Sequence, residues 1–357
     1  MRIELEARPE ASRFAGWLSP LVAIVATLLV GFILFLALGR NPWTALHAFF
    51  VLPLATHYGV AELLLKASPL MLIATGLAIG YRANVWNIGA EGQLTLGAIF
   101  GGGVALLLNG STSVFVLPAM LLAGSIGGMA WAAIPAWLRT RFHANEILVS
   151  LMLVYVAGLV LSLLVHGAWR DPDGFNFPQS RMFGDAALLP ILLPETRLNA
   201  GLLLSLATVA AAWVFVRKSL AGFQMGVAGL APAAANYAGI SAKRTVWLGM
   251  LIGGACAGLA GVNEAAGPVG QLQPSMSPGY GFAAIIVAFV GRLHPVGIVF
   301  ASLLLSLLYL GGESAQINLA LPSAVTGLFQ GTLLFFLLAA DVFVHYRLRI
   351  VRHVSVA

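Results

Sequence analysis

Long apolar runs separated by short polar breaks set the pattern of this chain. Taking about 20 apolar residues for one bilayer crossing, the runs predict helices near 17–38, 60–80, 86–108, 113–138, 145–166, 199–216, 245–263, 281–291, 296–310 and 324–344. The eighth is too short to cross, so 264–291 reads as holding a re-entrant piece. The stretch from Asn41 to Tyr58, with aromatics, two His and two Pro, reads as lying at the outer interface. The first run follows Arg2, Arg8 and Arg13 and covers 22 residues. That exceeds the roughly 7–15 of a cleavable signal core, so it is expected to stay as the first span, although Ala37-Leu38-Gly39 is a passable cleavage site.

Composition sharpens this picture. Apolar residues make up 60% of the 357 positions and charged residues 9%, against about 25% charged in soluble domains. The mean hydropathy is +0.93. The expected fold is therefore an all-α polytopic membrane protein of about ten transmembrane helices, eight to ten with a re-entrant segment. The net charge of +6 is spread over loops and does not predict nucleic-acid binding. With the N-terminus inside, the inner loops collect Arg2, Arg8, Arg13, Arg82, Arg139, Arg141, Arg217, Lys218, Lys243, Arg244, Arg292, Arg347, Arg349 and Arg352, which is 14 of the 19 basic residues. The positive-inside rule then places both termini in the cytoplasm. One membrane domain at 17–344 is expected between a cytoplasmic tail, 1–16, and a basic cytoplasmic tail, 345–357.

Two polar segments interrupt the domain. The outer loop, 167–198, carries charges and four Pro and reads as a folded loop. The inner loop, 217–244, contains Gly229-Leu230-Ala231-Pro232-Ala233-Ala234-Ala235-Asn236-Tyr237-Ala238-Gly239. Pro232 suits a first helical turn, the alanines favour a helix and Gly239 suits its end. A short helix is expected there.

The candidate chemistry sits in the stretch Asn84-Val85-Trp86-Asn87-Ile88-Gly89-Ala90-Glu91-Gly92-Gln93, which is flanked by apolar sequence. A carboxylate at membrane depth is costly and normally faces a partner or a water-filled path. Read as helix, Asn87, Glu91 and Thr95 form one polar stripe at a spacing of four, with Gln93 opposite. Gly97 and Gly101 permit close helix approach, as do Gly253, Ala257 and Gly261 beside Gly254 and Gly258. Asn263 and Glu264 follow, and Gly267, Pro268, Gly270, Gln271, Gln273 and Pro274 then break regular helix. Glu62 and Lys66 are expected to pair at i, i+4. The single Cys256 reads as a small buried residue.

Three ordered motifs resemble the permease subunits of bacterial ATP-driven importers, the group that includes branched-chain amino acid, ribose and nucleoside permeases. They are Asn87-Ile88-Gly89-Ala90-Glu91-Gly92-Gln93, the loop Gly229 to Ile240, and Ala260-Gly261-Val262-Asn263-Glu264 followed by Pro278-Gly279-Tyr280-Gly281-Phe282 and Gly291-Arg292-Leu293-His294-Pro295. The first is similar to the signature of the nucleoside/simple-sugar branch. The second resembles the coupling helix that docks on the ATPase, although Ala231 stands where such proteins often carry Asn.

The resemblance implies a permease that forms the path for nucleosides, or for a simple sugar such as ribose, in the bacterial inner membrane. It implies a cytoplasmic ABC ATPase, a second permease chain of the same or a related kind, and an extracytoplasmic substrate-binding protein as partners. ATP and Mg would sit on the ATPase, since no phosphate-binding loop surrounds Lys66, Lys218 or Lys243. No catalytic residue, metal site or bound cofactor is expected in this chain itself. The candidate path residues are Asn87, Glu91, Gln93, Thr95, Glu264 and Gln271. The candidate coupling residues are Gly229, Pro232, Ala234, Tyr237 and Gly239. An ion-coupled carrier, which the buried Glu residues permit, would leave the Ala-rich helix without a role. A channel would need a filter motif that the sequence does not display.

Overall fold

The computed structural model describes residues 2–7 and 13–351. Residues 1, 8–12 and 352–357, and with them Arg8, Arg352 and parts of both expected tails, lie outside the described residues. Among the described residues, thirteen α-helices carry the fold: α1 (Arg13–Ala37), α2 (Pro42–Phe50), α3 (His57–Arg82), α4 (Ala90–Leu107), α5 (Val116–Phe142), α6 (Glu146–His166), α7 (Gly201–Lys218), α8 (Leu220–Leu230), α9 (Pro232–Tyr237), α10 (Ala242–Glu264), α11 (Tyr280–Val290), α12 (Pro295–Leu319) and α13 (Ala324–His345). All ten expected apolar helices are among them. Eight are long and apolar enough to cross a membrane. At 11 residues, α11 is about 16 Å long, half of a bilayer core.

Several boundaries differ from expectation, α1 starting at Arg13 inside the expected N-terminal tail. The fourth helix starts at Ala90 rather than near 86, because Asn84 takes a positive φ of 55° and residues 85–89 run without helical bonding. The helix α12 continues through Gly311-Gly312-Glu313 to Leu319, so Glu313 is an exposed position inside a helix rather than at its end. The segments read as tails also contribute structure. Strand β1 (Arg2–Ala7) pairs antiparallel with β2 (Tyr346–Val351), with Arg2 opposite Val351.

The chain divides into two compact units, Met1–Ala55 with Leu307–Ala357, and Thr56–Ser306. In the first, α1 packs on α13. Phe329 fills its centre, with Phe49 at 4.7 Å and Phe35 at 6.0 Å between ring centroids. Asn41 caps α2 by accepting from the Trp43 amide at 3.0 Å.

In the second unit α10 is the central element, packed against α3, α4 and α5. The small residues explain why. Gly258 lies against the Gly124 carbonyl and Gly128 of α5, and Gly97 of α4 lies against Gly258 itself. Gly254 meets Gly128, Gly261 meets the Leu94 carbonyl, and Gly76 of α3 meets Cys256. Without side chains at these crossings, the backbones come within direct contact, the packing that replaces the hydrophobic drive inside lipid. Cys256 is buried in this seam.

After Glu264 the α-helix gives way to a π-helical turn, Ala265–Val269, closed by Gly270 at φ +72°. Residues 270–279 then lead to α11, the short helix that corresponds to the eighth apolar run. The loop 167–198 is stapled to this segment. The Ser180 amide donates to the Leu272 carbonyl and the Leu272 amide to Ser180 Oγ, both at 2.9 Å. The Phe183 amide donates to the Gly270 carbonyl at 2.9 Å and the Leu189 amide to the Ala266 carbonyl at 2.8 Å.

Candidate functional site

The Asn84–Gln93 stretch makes a built junction instead of a helical stripe. Because α4 begins at Ala90, Asn87 lies before the helix and cannot stack with Glu91 and Thr95 along one face. Its amide meets that of Gln93 reciprocally, Nδ2 donating to Oε1 at 2.8 Å and Nε2 donating to Oδ1 at 2.9 Å. Asn87 Oδ1 also accepts from the Gly89 amide at 3.1 Å, and the Asn87 carbonyl accepts from Tyr81 Oη at 2.9 Å. Both side chains are buried. Their hydrogen-bonding capacity is spent holding a non-helical segment in the interior, where an unpaired amide would be costly. Thr95 Oγ1 donates to the Glu91 carbonyl, four residues back in its own helix.

Glu91 has the most consequential contact. Its Oε2 accepts from the Gly281 amide at 2.6 Å, and Ser277 and the Gly279 amide also bond to it. These groups form the N-terminal turn of α11. Gly281 lies directly against the backbone of Ala90 and Glu91, so the N-termini of α4 and α11 meet, and one carboxylate serves both positive helix ends. On the other side, the absence of side chains at Gly89 and Gly92 lets Ser150 and Val154 of α6 press in.

This geometry sets an expectation. Glu91→Ala should remove the acceptor of two backbone amides and the Ser277 side chain, worth about 1.5–3 kcal/mol per bond to a charged group. Glu91→Gln retains one acceptor oxygen and should lose less. Thermal unfolding in detergent should therefore rank wild type above Glu91→Gln above Glu91→Ala. Equal midpoints for all three would show that the carboxylate does not hold α11.

Glu264 and Gln271 lie elsewhere, at a cavity of about 300 Å³ between α3, the end of α10 and the start of α11. Glu62, Lys66, Arg197, Gln273 and Tyr280 share its wall with them. Arg197 grips Glu62 through both oxygens, at 2.9 Å from Nε and 2.6 Å from Nη2. That hydrogen-bonded carboxylate holds the Arg197 guanidinium well above its usual value. Helical spacing pairs Glu62 with a neighbour on its own helix and carries no hint of Arg197, which comes from 135 residues away. Gln271 Nε2 donates to Gln179 Oε1 at 3.2 Å, tying the cavity wall to the long loop. Asn263, beside Glu264, donates to Ser68 Oγ at 3.0 Å and so fixes α10 on α3.

The expected short helix is present as α9. Pro232 occupies its first turn, Ala231 provides no side-chain cap, and Gly239 follows it at φ +78°. The Ile240 amide closes the turn on the Ala235 carbonyl at 2.9 Å. Ala235 is buried, Ala234 exposed, and Tyr237 is 97% exposed. Gly229 packs α8 against the Arg82 carbonyl at the end of α3. Nearby, burial and then the positive charges of Arg82 and Arg217 push His294 down from the usual imidazole value.

Residues 59–338 match the family model described as branched-chain amino acid transport system / permease component. The chain belongs to this permease family. It is 38% identical to the glucose ABC transporter permease protein TsgB13 of Haloferax volcanii, over 98% of this chain and 95% of that one. It is 30% identical to the nucleoside ABC transporter permease protein NupB of Lactococcus lactis, over 90% of each chain. Against the guanosine ABC transporter permease protein NupP of Bacillus subtilis it is 29% identical, over 91% of this chain and 93% of that one. The permease is thus an integral, multi-pass membrane protein, and its family is a membrane component rather than an enzyme.

Proposed function

We propose that the permease forms the translocation path of an ATP-driven importer for nucleosides, working by alternating access. The observation that carries this reading is α9, a short helix closed by Gly239 that presents Tyr237 to solvent in a chain whose full-length relatives are ABC transporter permeases. A separate ABC ATPase, binding ATP and Mg, would receive α9 in a surface cleft. An extracytoplasmic binding protein would deliver the solute to the face bearing loop 167–198. Both termini and loop 217–244 would be cytoplasmic.

The second permease of the assembly would be a related but different chain. Three organisms each contribute two relatives, one matching 90% or more of this chain and another matching 68–74% of it. In this scheme Glu264 and Gln271 line the path at its outer part. Asn87, Glu91, Gln93 and Thr95 support it by fixing the junction of α4 with α11.

A simple sugar is the second reading, favoured by the 38% identity to a glucose permease across nearly the whole length. Competition decides between them. Uptake of labelled guanosine by cells expressing the complete transporter should be suppressed by excess unlabelled nucleosides and not by glucose or ribose. Suppression of labelled glucose uptake by sugars alone would replace the nucleoside with the sugar.

A further inference from the structure

The cavity beside Glu264 has the composition of a solute site rather than of a packing defect. Empty cavities are apolar. This one is walled by two carboxylates, two cations, two primary amides and a tyrosine, completed by Leu65, Pro268 and Val269. Its volume, about 300 Å³, lies at the small end of ligand pockets, suited to one sugar ring more than to a peptide or a lipid chain.

The charges are arranged so that the wall is formally neutral. Glu62 and Arg197 are committed to each other in a two-point fork. Counted by residue type, Glu62 and Glu264 balance Lys66 and Arg197 in this wall. A phosphorylated or cationic solute would bring an unmatched charge into a site where charge is expensive. A neutral polyol would bring hydroxyl donors, which a carboxylate accepts, and hydroxyl acceptors, which amide N–H groups satisfy.

We propose that this cavity, formed within a single permease chain by Glu264, Gln271 and Gln273 around the Glu62–Arg197 fork, binds one neutral sugar ring during transport: the ribose of a nucleoside or a free hexose. Glu264 accepts hydrogen bonds from ring hydroxyls, Gln271 and Gln273 bracket the ring with their amides, and the fork fixes the wall that they face. The permease thereby discriminates solutes on its own, after the binding protein has released them. This rests on the importer reading above.

The test separates the permease from the binding protein. In proteoliposomes containing the complete transporter, uptake is measured with the binding protein saturated by each solute, so that its own affinity drops out. The solute pair is a nucleoside, or glucose if competition selects the sugar, and its analogue lacking one ring hydroxyl. The wild type should move the parent solute about tenfold faster than the deoxy analogue, the order expected where a partly wet site loses one hydrogen bond. Glu264→Gln and Gln273→Ala should each narrow that ratio to about threefold or less, with unchanged ATPase association. Gln273 is only half-buried, so its variant remains decisive even if Glu264→Gln does not assemble. An undiscriminating wild type at saturation, or the full ratio retained in Gln273→Ala, overturns the proposal. A wild type that moves neither solute on ATP overturns the importer reading instead.

Discussion

Gly258→Val should abolish the folded permease. A β-carbon at Gly258 would land on the Gly124 carbonyl and press on the Gly128 backbone, while Gly97 of α4 already lies against Gly258 from another direction. Overpacking a core costs about 1–3 kcal/mol when side chains can shift. Here the obstacles are the backbones of α4 and α5, which cannot rotate aside, so the cost should reach about 3 kcal/mol or more. That is a large share of the roughly 5–15 kcal/mol that keeps a domain folded. Size-exclusion of a fluorescent fusion in mild detergent should show loss of most of the monodisperse peak. Gly158→Val provides the control, since nothing lies within 4 Å of its added carbon. Its profile should match the wild type. A normal profile for Gly258→Val would mean that α4, α5 and α10 do not cross as closely as described.

Tyr237→Ala and Gly239→Val should uncouple transport while leaving the permease intact. Tyr237 is 97% exposed, so it contributes almost nothing to the chain's own core. An exposed aromatic at the tip of a short helix is the residue type that anchors interfaces, and truncating such an anchor costs about 2 kcal/mol or more. ATP-driven uptake should fall roughly tenfold or more, with an unchanged melting midpoint and membrane level. Gly239 acts differently. Its φ of +78° and the open space around it mean that Val meets no neighbour, only about 1–2 kcal/mol of left-handed backbone strain. The turn after α9 should shift, and the helix with it. Normal uptake and ATPase pull-down for both variants would remove α9 from the coupling path.

Much of the fold was legible in the sequence because lipid imposes a simple code. Apolar runs of spanning length became helices, and the small-residue positions on α4 and α10 became the tight seam. The Pro232–Gly239 helix was readable for a local reason, a proline that starts a helix and a glycine that ends it. The candidate site was less legible. The periodicity of Asn87, Glu91 and Thr95 fits a helix, but the reciprocal Asn87–Gln93 amide pair stabilises an extended entry that periodicity cannot reveal. Arg197 was missed because its partner Glu62 is distant in sequence, and nothing sets Arg197 apart from Arg170 and Arg181 in the same loop. Glu91 stood out as a costly carboxylate, yet two of its partners, beside the Ser277 side chain, are backbone amides at the start of α11, and backbone leaves no mark in residue identity.

The proposed importer moves solute through this chain on ATP hydrolysed by a separate subunit. Uptake into sealed vesicles carrying the permease, its permease partner and the ATPase on the inner side, with loaded binding protein outside, tests this most directly. Uptake should require ATP on the ATPase side, collapse with Tyr237→Ala, and be indifferent to an imposed Na⁺ or H⁺ gradient. Solute accumulation driven by an ion gradient in the absence of ATP would contradict it.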